Sequence, residues 1–150
     1  MTRELNVRTP LFDRLAGAER TLDRRRLRES LRRELELLLN TRSSFPAHRL
    51  PGAPLTVIDY GIPPLTNFSS RNPNHQNELA AALRIAIETF EPRLTAVRVN
   101  IIPPPDDELF LQIALEADLI VDSVRQRVSF ILGIDPREAT VGVVETSGEP

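Results

Sequence analysis

The side chains best spaced for chemistry are Glu88 and Glu91, three residues apart where an apolar-periodic stretch ends, with Arg93 just beyond. Three-residue spacing on a helix puts two carboxylates on one face, within the roughly 5–10 Å that separates the paired acids of a glycosidase. That chemistry needs one carboxyl group to hold a proton. Arg93 favours a charged Glu91, the wrong state for a proton donor. A sugar cleft also wants aromatic walls, and the chain has six Phe, one Tyr and no Trp. An ion pair between Glu91 and Arg93, structural or at an interface, is the better reading.

Other chemistry has less to stand on. His48 and His75 are the only histidines, far apart and without ligand-spaced neighbours, so no metal site is expected. Asp106-Asp107-Glu108 lacks the alternating ligands and central glycine of a calcium loop and reads as a solvated turn. There is no cysteine, no Gly-x-Ser-x-Gly elbow and no Gly-rich phosphate loop. No cofactor and no catalytic residue is assigned, and the expectation is a protein that is not an enzyme.

The elements that must hold Glu91 and Arg93 are the clearest in the chain. Leu79, Leu83, Ala86, Ile87 and Phe90 recur at helical spacing, and Asn72-Pro73 supplies an N-cap followed by proline at the first helical position. Pro92 stops that helix, because its ring disfavours helical geometry at Glu91. Val97, Val99 and Ile101 then alternate with Ala96, Arg98 and Asn100 as a half-buried strand. Glu91-Pro92-Arg93 is thus a stiff corner between helix and strand.

An earlier helix is predicted from Thr21, as N-cap, to Asn40, with Leu27, Leu31, Leu35 and Leu38 as its stripe. Asn40-Thr41-Arg42 ends it. A proline-rich connection runs from Ser43 to Arg71, in which Thr56-Val57-Ile58 is expected to pair briefly as a strand and Tyr60-Gly61 to turn. After the strand at about 94–102, Pro103-Pro104-Pro105 makes a stiff turn. Leu109, Leu111, Ile113 and Leu115 define a second strand and Val128, Phe130, Leu132 and Ile134 a third, with Val141 to Val144 as a short edge strand. The fold class is α+β: two main helices packed on an antiparallel β-meander, with an N-terminal arm. The arm covers residues 1–19, the domain 20–145 and a tail 146–150. Within the arm, Leu11, Phe12 and Leu15 share a helical face beside Arg14, a turn suited equally to folding back on its own domain or docking on another protein.

Composition sets the compartment and the partners. At 150 residues the chain is the size of one domain, no apolar run has the length to cross a membrane, and Met1 to Pro10 lacks the apolar stretch of a secretory signal. A cytoplasmic protein is expected. Residues 1–49 hold twelve Arg against seven acids, and residues 50–150 seven Arg against fourteen acids. A basic front and an acidic back suit association with partners of opposite sign. The Arg24-Arg25-Arg26 and Arg32-Arg33 runs are interleaved with acids and lack a groove-reading motif. They read as a solvated helix face, and no nucleic-acid partner is assigned.

Two of these stretches together resemble a known family. Leu38-Leu39-Asn40-Thr41-Arg42 ending one helix, and Glu91-Pro92-Arg93 ending the next, are similar to the baseplate wedge family of contractile phage tails. The arm Pro10-Leu11-Phe12-Asp13-Arg14-Leu15 resembles that of its type VI secretion branch, the TssE-type baseplate subunits. The resemblance covers roughly residues 8–145. It implies a structural subunit that sits in the baseplate and nucleates the contractile sheath, although the family carries an old "lysozyme-like" label. A peptidoglycan-cleaving glycosidase and the equivalent wedge subunit of a phage-derived tail are the alternatives.

The resemblance further implies roles for residues. Glu91, Pro92 and Arg93 would hold the corner and contact the sheath or a baseplate neighbour. Asn40, Thr41 and Arg42 would fix the first helix end, and Leu11, Phe12, Arg14 and Leu15 would dock the arm on adjacent wedge subunits. The partners are other wedge subunits and sheath subunits, with the protein brought near the membrane only through the assembled machine and not inserted in it. The family often has Tyr-Gly-Leu-Pro-Asp in the middle loop. Here Tyr60-Gly61-Ile62-Pro63 is followed by Pro64, so the carboxylate is missing.

Overall fold

A computed structural model describes residues 24–43, 56–65, 68–102, 111–121, 123–135 and 140–148. Helix α1 spans Arg24–Asn40 and helix α2 Pro73–Phe90. Four strands follow, β1 (Leu94–Ile102), β2 (Leu111–Val121), β3 (Val124–Asp135) and β4 (Thr140–Gly148). They form one antiparallel sheet in the order β1-β2-β3-β4, the meander expected from the alternation.

The core lies between the helices and one face of this sheet. α1 contributes Leu27, Leu31, Leu35, Leu38 and Leu39, all buried. α2 contributes Leu79, Leu83, Ala86 and Ile87. On the sheet, Leu111, Ile113, Leu115, Ala117, Leu119 and Val121 face inward along β2, and Val128, Phe130, Leu132 and Ile134 along β3. Each Leu, Ile, Val or Phe among them gives about 1.5–3 kcal/mol when fully removed from water. α2 packs on β1, α1 on β4, and the two helices touch each other.

Local chemistry explains where the elements begin and end. Asn72 Oδ1 accepts from Asn74 N at 2.9 Å, capping α2 as the Asn-Pro pair predicts. In β1 the register slips between Thr95 and Arg98, and Ala96 takes a positive φ of 51°. The bulge lets Leu94 and Val97, three residues apart, both face the core. β2 and β3 meet in a tight turn in which Ser123 has φ 65°.

Two sequence expectations differ from the structure. Residues 57–59 form a short 3-10 turn, not a strand. Asp59 Oδ2 accepts from both the Thr56 N–H at 2.7 Å and the Thr56 hydroxyl at 3.1 Å, closing the backbone on itself before it can pair. β4 runs to Gly148, past Val144 and into the stretch read as a tail, because its backbone pairs with β3 even where its side chains turn polar. The Leu109 end of the second strand, the Thr21 cap and the whole 1–19 arm lie outside the described residues.

Candidate functional site

Asn40-Thr41-Arg42 satisfies the last turn of α1 with its own side chains. A helix leaves its final carbonyls without intrahelical donors. Here Asn40 Nδ2 donates to Glu36 O at 2.8 Å, the Thr41 hydroxyl to Leu37 O at 2.7 Å and Arg42 Nη1 to Leu39 O at 2.8 Å. The Thr41 N–H reaches Leu38 O at 3.3 Å. Four consecutive carbonyls are thereby bonded. Partial burial lowers the Arg42 pKa, yet the guanidinium keeps its charge at any physiological pH.

The middle loop is clamped to this helix end. Ile62 N–H donates to Thr41 O and Ser43 N–H to Ile62 O, each at 2.9 Å, making a parallel bridge between Arg42 and Ile62. Gly61 is required there. Its φ is +119°, and a Cβ would lie 2.3 Å from Thr41 O. The clamp sets Tyr60 edge-on against Phe90, ring centroids 5.2 Å apart. Burial, then the nearby Glu34 and Glu91 carboxylates, push the Tyr60 phenol up to about 12. The loop therefore joins the end of α1 to the end of α2.

At that second helix end, Glu91 N–H donates to Ile87 O at 2.8 Å and Leu94 N–H to Glu91 O at 3.1 Å, a tight turn around Pro92. The Glu91 carboxylate is 5% exposed and Arg93 7%. Arg93 grips it with two parallel bonds, Nε to Oε1 and Nη2 to Oε2, both 2.7 Å. Its remaining reach goes to Ser30 Oγ on α1, at 3.3 Å from Nη1. This is the planar fork geometry that only arginine supplies. Both carboxylate oxygens are occupied by the guanidinium, and Glu88 is exposed on the solvent side of α2.

Of the residues singled out in the sequence, the corner thus turns Glu91 and Arg93 inward and leaves Pro92 exposed. Leu11, Phe12, Arg14 and Leu15 lie outside the described residues. Sequence reading missed Ser30 and, more important, a contact across the chain. The Asn40 carboxamide both accepts from Val141 N–H and donates to Val141 O, at 2.7 Å each, 101 residues away. Glu36 Oε1 accepts from Val143 N–H at 3.3 Å. No residue pattern near Asn40 announces this contact.

Two shallow grooves are lined by described residues. One of about 150 Å³ lies between the loop and α2, lined by residues including Pro63, Phe68, His75, Glu78, Leu79 and Ala82. His75 Nδ1 in it accepts from Ser69 N–H at 3.0 Å. Neither Glu88 nor Glu91 lines it. Among the described residues no group of three or more His, Cys, Asp or Glu gathers to hold a metal, and no helix is long and apolar enough to cross a membrane.

The sequence model of the baseplate wedge protein gp25 family matches residues 25–124, which include both helix-end motifs and the loop clamped between them. The chain belongs to this family. Comparison with curated proteins and with solved structures returned no match. As a baseplate wedge family member, the chain is a structural component of a phage-tail-like baseplate and associates with other baseplate components. The matched stretch ends at Val124, the first residue of β3, so the sheet edge formed by β4 lies beyond it.

Proposed function

We propose that this wedge subunit serves a cytoplasmic type VI secretion baseplate, works without catalysis, and starts the contractile sheath by offering a strand edge. The observation that carries this reading is the sheet itself. Among the described strands β1 and β4 each have a neighbour on one side only, and the outer side of β4, beyond the part that Asn40 and Glu36 bond, presents backbone groups to an incoming strand. The body is a rigid platform for that edge: α1 is tied to β4 through Asn40, and α1 is tied to the α2–β1 corner through Ser30 and Arg93. The Glu91–Arg93 pair then acts by holding the corner. Its engagement with Arg93 also supports the non-enzymatic reading, since neither carboxylate oxygen is presented to a substrate.

The type VI assignment rests on the arm sequence from Pro10 to Leu15, with Leu11, Phe12, Arg14 and Leu15 docking on neighbouring wedge subunits. Co-purification tests the reading. The tagged chain, expressed with candidate type VI baseplate and sheath subunits and, in parallel, with the corresponding phage-tail subunits, should bring down both type VI classes. Phe12→Ala should reduce recovery of wedge partners and spare sheath recovery. A chain that comes down alone refutes the assignment. A chain that recovers only phage-type subunits moves it to a phage-derived tail.

A further inference from the structure

The outer edge of β4 is already partly engaged. One carboxamide, that of Asn40, makes with Val141 the reciprocal pair of bonds that an opposing strand residue makes in an antiparallel ladder. Glu36 bonds the next outward N–H, that of Val143. Alternation along the ladder locates the rest of the edge. Gly142 opposes Gly133, and past the irregularity at Ile131 and Leu132, Glu145 opposes Ile131 and Ser147 opposes Ser129. These are the residues whose backbone groups face β3, so the groups of Thr146 and Gly148 face outward.

We propose that Asn40 is a strand surrogate: it closes the Val141–Val143 part of the edge and confines an added strand to the Thr146–Gly148 part. The occupant of that remaining part is an extended strand of a sheath subunit, so the inference rests on the function proposed above. Backbone pairing is blind to sequence, and something other than side chains must fix where an incoming strand stops. A side-chain amide does so well. It satisfies an N–H and a C=O as a strand would, but has no second edge on which pairing could continue. Its position is informative too. Val141-Gly142-Val143-Val144 is the apolar, β-branched half of β4, the half most prone to unwanted pairing, and Glu145-Thr146-Ser147 is the polar half.

Amide hydrogen exchange by NMR on the full chain, alone and with the purified sheath subunit as probe, tests this with Asn40→Ala and Asn40→Asp. Alone, Val141 should exchange about tenfold faster in Asn40→Ala than in wild type, the loss of roughly one net hydrogen bond. Asn40→Ala should also self-associate in sedimentation experiments at concentrations where the wild type does not. With the sheath subunit, the wild-type Thr146 amide should slow while Val141 is unchanged; in Asn40→Ala, Val141 should slow as well. Asn40→Asp keeps an acceptor for Val141 N–H and loses the donor, so an intermediate rate is expected, and it serves if the alanine variant does not fold. Unchanged Val141 exchange in both variants overturns the proposal. So does an opened edge that takes a strand at Val141 neither from the sheath subunit nor from a second copy. If the sheath subunit slows no β4 amide in wild type, the sheath reading fails, and self-association of Asn40→Ala alone decides the role of Asn40.

Discussion

The two helix ends solve one problem by opposite means. At the end of α2, Glu91 and Arg93 are two residues apart, buried, charged and bonded to each other, and Arg93 reaches Ser30 on α1. At the end of α1, Asn40, Thr41 and Arg42 bond neutral backbone carbonyls, and Asn40, itself exposed, reaches a strand 101 residues away. The first is a local device that makes a corner rigid. The second is a long-range device that decides how an edge is presented. A buried charge pair fails abruptly when halved, because the surviving partner has no solvent to turn to; an exposed amide fails gently, because water replaces it.

The largest effect should come from halving the pair. Arg93→Ala is expected to cost about 3–5 kcal/mol of folding stability by leaving the buried Glu91 carboxylate uncompensated, read as a lower chemical-denaturation midpoint. Replacing both residues, as Glu91→Leu with Arg93→Met, should cost much less than Arg93→Ala. A double variant as unstable as the single one would show that the fork contributes more than charge compensation. Gly61→Ala comes next, at about 1–3 kcal/mol, since a Cβ meets Thr41 O in a backbone conformation that disfavours side chains. An unchanged midpoint there would mean the loop clamp matters little to α1. Asn40→Ala should cost only about 1 kcal/mol, and its consequence should fall on edge exchange more than on global unfolding.

A pH titration sharpens the comparison at the residue between the two ends. The fold raises the Tyr60 phenol from its ordinary 10 to about 12, so it favours the neutral form. That contribution is fully present below pH 10 and is lost as pH rises through about 12. Tyr60→Phe should flatten the stability profile across this window and leave it unchanged below pH 10; an identical profile in the variant would remove Tyr60 from the account. The smallest effect is expected at Val57 and Ile58, which are 88% and 83% exposed on their 3-10 turn. Serine at both should change stability by about 0.5 kcal/mol or less, measured by denaturation.

How much of this was legible in sequence depended on the range of the interaction. The Glu91–Arg93 pair, the Pro92 stop and the Asn72-Pro73 start involve neighbours within a few residues, and local rules reach that far. The sheet order followed from short connections between alternating segments. Val57-Ile58 was misread because β-branched residues suggest a strand, whereas the Thr56–Asp59 cap closes the turn first. The length of β4 was misread because pairing with β3 does not require alternation in its polar half. The bond from Asn40 to Val141 was beyond reach, since it depends on where two distant elements come to lie.

The platform reading can be tested at the edge itself. Deleting β4 would remove the core residue Val141 and confuse folding with assembly. Thr146→Pro is cleaner, because the N–H it removes faces away from β3 and proline is tolerated at such edge positions. The deciding measurement is co-sedimentation of sheath assembled in the presence of wild-type or Thr146→Pro protein, after both are shown to unfold at similar denaturant concentrations. The account predicts that the variant still joins its wedge partners and no longer starts sheath. Sheath of normal yield from the variant would contradict the claim that β4 is the edge on which the first ring is built.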